Sequence, residues 1–116
     1  MPYDQYLAER IRHLLSRTKN VTEREMMGGL CFMVDGKMCI NVTSRGNVMQ
    51  RCLPNQTEEV VKKHGASRFI MNGKPLNKGW LTLAPEAMDS DDDLQYWINI
   101  ALAGNKEAKS KSRSGK

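Results

Sequence analysis

The sequence predicts an α+β domain: an antiparallel β-sheet with helices packed on one face, in the order α, three or four strands, α, two strands, α. Three observations carry this. Asp35-Gly36 stands between two apolar runs, residues 30–34 and 38–42, the strongest short-range hairpin signal because both loop residues of a type I′ turn need positive φ. Leu7, Ile11, Leu14 and Leu15 near one end, and Leu94, Trp97, Ile98, Ala101 and Leu102 near the other, recur with the period of a helix face. Strands joined by hairpins pair antiparallel, and their apolar face must be covered by the helices.

The first helix is expected over residues 3–17, with Asp4 as N-cap and His13 on its polar side. A mixed-charge strand follows over residues 21–27, and Gly28-Gly29 permits a change of direction before the hairpin. A two-residue loop places Val34 opposite Lys37, Met33 opposite Met38, Phe32 opposite Cys39 and Cys31 opposite Ile40. One face is then wholly apolar (Cys31, Met33, Met38, Ile40, Val42). The other mixes Leu30, Phe32 and Val34 with Lys37, Cys39 and Asn41.

Residues 48–53 read as a further strand ended by Pro54. Asn55 and Glu58 have the spacing of a capping box, which opens a short helix to His64 with Gly65 behind it. Residues 68–71 and 80–84 are the last two strands, joined by a long loop over residues 72–79 that presents Lys74 and Lys78 beside Trp80. Ser90, with Asp93 three residues on, caps the closing helix, and Gly104 is expected to stop it. Residues 1–104 form the domain. Residues 105–116 form a disordered basic tail with no apolar residue larger than Ala.

The net charge of +5 is concentrated in that tail, where five cations stand against Glu107 for +4. The other 104 residues hold 13 basic and 12 acidic side chains, or +1, which argues against a large basic surface. No apolar run reaches the roughly 18 residues of a membrane span, and no signal peptide is visible, so a cytoplasmic location is expected. The odd set Cys31, Cys39 and Cys52 lacks metal or redox spacing and reads as reduced thiols. No cofactor is expected. The two histidines fall in separate helices, without the clustered nucleophile, base or metal set that an enzyme needs.

In order and spacing, several short pieces resemble the TfoX/Sxy N-terminal domain family across residues 3–103. They are Tyr3-Asp4 with Leu7-Ala8-Glu9-Arg10-Ile11, Val21-Thr22-Glu23, Met26-Met27-Gly28-Gly29-Leu30-Cys31-Phe32-Met33 and Gly36-Lys37-Met38. Gly73-Lys74-Pro75, Lys78-Gly79-Trp80 and the helix over residues 94–103 complete the set. The resemblance implies an α+β domain of this order. It also implies kinship with bacterial regulators of natural competence, which act in transcription and carry a second, helical domain. This chain is expected to be a stand-alone member without that domain. It departs from the family pattern at Glu25 and at Asn77. The family supplies no catalytic residues.

The function expected is a non-enzymatic regulatory or protein-interaction module. Its partner would be a protein such as a transcription component, or a second copy of the chain. It would bind through the partly apolar hairpin face, Leu30, Phe32, Val34 and Cys39, if no helix covers that face, or through the loop with Lys74, Lys78 and Trp80. The alternative is a nucleic-acid-binding module that uses Arg51, Lys62, Lys63, Lys74, Lys78, Trp80 and the tail.

Overall fold

The computed structural model describes residues 3–26, 28–68, 70–71, 74–75 and 79–107. In chain order the elements are α1 (Gln5–Leu14), β1 (Val21–Met26), β2 (Gly29–Val34), β3 (Lys37–Val42), β4 (Val48–Arg51), α2 (Thr57–Val60), β5 (Ala66–Arg68), β6 (Ile70–Met71), β7 (Lys74–Pro75), β8 (Trp80–Leu83) and α3 (Asp91–Glu107). Six strands form one antiparallel sheet in the order β1-β2-β3-β4-β8-β5, and β6 and β7 pair separately. The α+β antiparallel class is therefore as expected. Among the described residues, no helix is long and apolar enough to cross a membrane.

α1 begins where its cap places it, with the Leu7 amide donating to Asp4 Oδ1 at 3.0 Å. It buries Leu7, Ala8 and Ile11. At the β2–β3 turn, Asp35 and Gly36 both have positive φ, 54° and 76°, as a type I′ turn requires. The expected pairs Met33–Met38 and Val34–Lys37 form next to it.

Beyond those two pairs the register differs from expectation. A β-bulge at Cys39 sets Phe32 opposite Ile40, Cys31 opposite Asn41 and Leu30 opposite Val42. The extra residue turns Cys39 and Ile40 toward the same side as Phe32. The face expected to be open is thus the core: Leu30 (3% exposed), Phe32 (0%), Val34 (5%) and Cys39 (0%) are all buried. These four residues form no partner surface.

α3 lies over that face and is docked by side chains from β3 and β4 and by one of its own side chains on the β2 backbone. Gln50 Nε2 donates to Trp97 O at 2.7 Å, Cys39 Sγ to Ala101 O at 3.5 Å, and Asn105 Nδ2 to Val34 O at 3.0 Å. Lys37 Nζ donates to Asn105 O at 2.7 Å. Leu94, Trp97, Ile98 and Ala101 provide the buried stripe, and Ser90 Oγ caps the start by accepting from the Asp93 amide. Gly104 does not end the helix, which runs on to Glu107. Instead the glycine permits a close approach, because a Cβ there would stand 2.4 Å from the Cys52 carbonyl carbon. The domain accordingly includes residues 105–107, and Asn105 is buried rather than part of a disordered tail. Residues 108–116 lie outside the described residues.

Two other local expectations need correction. The helix after Pro54 is a 3-10 turn (Pro54–Gln56) followed by the single turn of α2, and Asn55 makes no capping bond. Thr57 is drawn inward instead: its Oγ1 donates to Leu53 O and accepts from the Gly79 amide at 2.9 Å. On the edge away from β4, β8 pairs with β5, residues 66–68, rather than with a strand over residues 68–71, through Ala66–Leu83 and Arg68–Leu81.

Across the α1–β1 gap, Arg12 grips Glu23 twice, Nε to Oε2 at 2.6 Å and Nη2 to Oε1 at 2.8 Å. The hydrogen-bonded guanidinium holds the Glu23 carboxyl below its ordinary pKa. A depressed folded-state pKa means that the stabilisation is present above the unfolded carboxylate value, about 4.3, and is lost as pH falls through the folded value. The side chains are 48% and 32% exposed, so solvent screening limits the pair to about 1 kcal/mol at most. Urea unfolding should show Glu23→Gln less stable than wild type at neutral pH and the two converging in strong acid. A gap that persists in acid would assign the loss to something other than the ion pair.

Candidate functional site

Alternation along each strand sends one set of side chains toward α3 and the other to the opposite face of the sheet. The cross-strand pairs of that opposite face include Met33 with Met38, Met49 with Asn41 and Arg51 with Trp80; of these, Met33, Met38, Met49, Arg51 and Trp80 bear on a site. All five are half-buried, unlike the closed core on the α3 side. Met33 and Met38 were expected on a covered face. The bulge leaves them on this one and turns Ile40 into the core.

Arg51 is held by two contacts. The β3–β4 ladder stops at Ile40, so Met38 O has no strand partner from β4, and Arg51 Nε donates to it at 2.6 Å. The guanidinium carbon sits 4.4 Å from the centroid of the Trp80 ring, a cation–π contact. Burial pulls the Arg51 pKa down from its ordinary value, yet a guanidinium remains a cation at neutral pH. Arg24 is exposed on the neighbouring edge of this face, opposite Cys31.

The thiols offer no nucleophile here. Cys31, Cys39 and Cys52 are free and buried. Burial pushes Cys39 up to about 12. It raises Cys31 despite the pull of Arg24 and Arg51, and it raises Cys52 despite its hydrogen bond to Thr57. Only the thiolate attacks a disulfide. A disulfide reagent at mildly alkaline pH should therefore label the native chain on the order of a hundredfold more slowly than the unfolded one, given opening free energies of a few kcal/mol. Rapid labelling of any one thiol in the native protein would contradict this burial.

The two histidines lie in different clefts. His13 lines a cleft of about 230 Å³ with Tyr6, Arg10 and Asp91, where Arg10 Nη2 meets Asp91 Oδ1 at 3.2 Å. His64 lines a wider one, about 550 Å³, with Lys63, Glu86, Asp93 and Tyr96. There Lys63 Nζ stands 5.0 Å from the Tyr96 ring centroid. Among the described residues, the cations grouped for nucleic-acid binding are thus spread out, with Lys63 beside the first turns of α3 and Arg51 on the face opposite α3.

Of the loop residues expected to form a site, Trp80 is placed on β8. The side chain of Lys74 and all of Lys78 lie outside the described residues. The partner of Trp80 was not visible locally, because Arg51 lies 29 residues earlier and meets it only through β4–β8 pairing. The available signal was the alternation of residues 48–53, which puts Met49 and Arg51 on one side.

Comparison with curated proteins finds none that matches. A family model described as the TfoX N-terminal domain matches residues 13–104, from the last turn of α1 to Gly104 in α3. Since that match spans most of the chain, the chain belongs to the TfoX N-terminal domain family.

Proposed function

We propose that the chain is a cytoplasmic, non-enzymatic regulatory module that binds a protein partner on the sheet face opposite α3. The observation that carries this reading is the contrast between the two faces. One is closed by α3, and the other keeps Met33, Met38, Met49 and Trp80 half-exposed around a fixed guanidinium. Methionine is unbranched and polarisable, which suits a surface that must adapt to a partner. Family membership supports a regulator-type role, and separate histidines with protonated thiols support the non-enzymatic part.

The test is site-specific photo-crosslinking in cells. A diazirine-bearing residue replaces Met49 in one version and Tyr6, 75% exposed on α1, in another. A defined polypeptide adduct from position 49 that is missing from position 6 is the expected result. Identical adducts from both positions, or adducts at position 49 to nucleic acid alone, would overturn the reading.

A further inference from the structure

We infer that the partner segment is an acidic, apolar peptide whose carboxylate pairs with Arg51 while its apolar side chains cover Met33, Met38 and Met49. This rests on the protein-binding reading above and names the chemistry of the partner. The argument is charge complementarity on a prepared surface.

Among the described residues, the cations of this face are Arg24 and Arg51, and both act on the Cys31 thiol beneath them. The only carboxylates on the six strands of the sheet, Glu23 and Glu25, alternate to the α3 side, and Glu23 is taken by Arg12. Arg51 therefore has no carboxylate from its own sheet, although it is half-buried. Its Nε is committed to Met38 O, and among the described residues its hydrogen bonding stops there. One contact fixes the base of the guanidinium and Trp80 fixes its plane, so the terminal Nη groups are oriented in advance. A guanidinium held this way loses little freedom on meeting a carboxylate, and its planar fork matches the two oxygens. The surrounding methionine side chains exclude water and strengthen that pairing.

The same geometry disfavours a nucleic acid as occupant. Arg51 already covers one side of the Trp80 ring, so a base stacking on that side would have to displace it. Three thioethers offer a phosphate backbone nothing. A protein segment with Asp or Glu set among Leu, Phe or Met side chains engages both the guanidinium and the methionines of this face.

The experiment pans a displayed library of random dodecapeptides against the full chain. Enriched peptides are then titrated into protein carrying isotope-labelled methionine methyls, with duplex DNA as a parallel probe. The expected result is enrichment of acidic, apolar peptides that shift the Met33, Met38 and Met49 methyl signals. Affinity should fall roughly tenfold in Arg51→Ala. It should fall roughly threefold in Arg24→Gln, an exposed position that leaves folding intact. Peptides that shift the same methyls without acidic enrichment, and bind Arg24→Gln unchanged, would overturn this inference and leave the module reading standing. If no peptide moves those methyls, whether or not DNA does, both readings fail.

Discussion

Gly104→Ala destabilises the protein by roughly 2–3 kcal/mol, the cost of forcing an extra methyl into a filled contact. Helix propensity alone predicts the opposite sign, since alanine in a helix interior is favoured over glycine by about 1 kcal/mol. The contact overrides propensity because the obstacle is backbone. A Cβ at position 104 would lie 2.4 Å from the Cys52 carbonyl carbon and 2.6 Å from its oxygen. No side-chain rotation can relieve that. α3 would have to lift away from the sheet, and lifting it disturbs the Asn105 bond to Val34 O and the Lys37 bond to Asn105 O one residue further on. Thermal unfolding should show the midpoint fall by roughly 10 °C or more for a domain of this size. A variant as stable as wild type, or more stable, would mean that α3 stands off β4 and that Gly104 serves another purpose.

That glycine also shows where the sequence was legible and where it was not. The closing helix was plain from its stripe and its Ser90 cap, both local features. Its end was not, because a glycine after a periodic stripe reads as a stop, while this one is used for close approach to the Cys52 backbone just past β4, about fifty residues earlier. The hairpin was likewise legible at its turn, where Asp35-Gly36 dictates the backbone, and illegible four residues on. The bulge turns Cys39 inward, where its thiol meets Ala101 O, 62 residues away in sequence. Candidate-site residues followed the same division. Trp80 stood out by its chemistry, but its partner Arg51 and the carbonyl that anchors it, Met38 O, come together only through strand pairing and that bulge. Turns and amphipathic stripes are written in neighbouring residues. Register beyond a bulge and contact across the sheet are written in distant ones.

The bulge makes a second prediction with a large effect, because it decides which face of β2 is core. With a bulge-free ladder, Met33 would lie under the helices and Phe32 would stand in the open. With the bulge, Phe32 is fully buried opposite Ile40, while Met33 is half-exposed opposite Met38. Phe32→Ala should then cost about 3–5 kcal/mol, combining lost transfer free energy with the cavity left beneath α3. Met33→Ala should cost about 1 kcal/mol, since only part of its apolar surface leaves water on folding. Urea unfolding of both variants measures the difference as a shift in midpoint at unchanged slope. A small loss at Phe32 with a large one at Met33 would restore the bulge-free register. It would also return the methionine face to the core and remove the surface on which the proposed interaction depends.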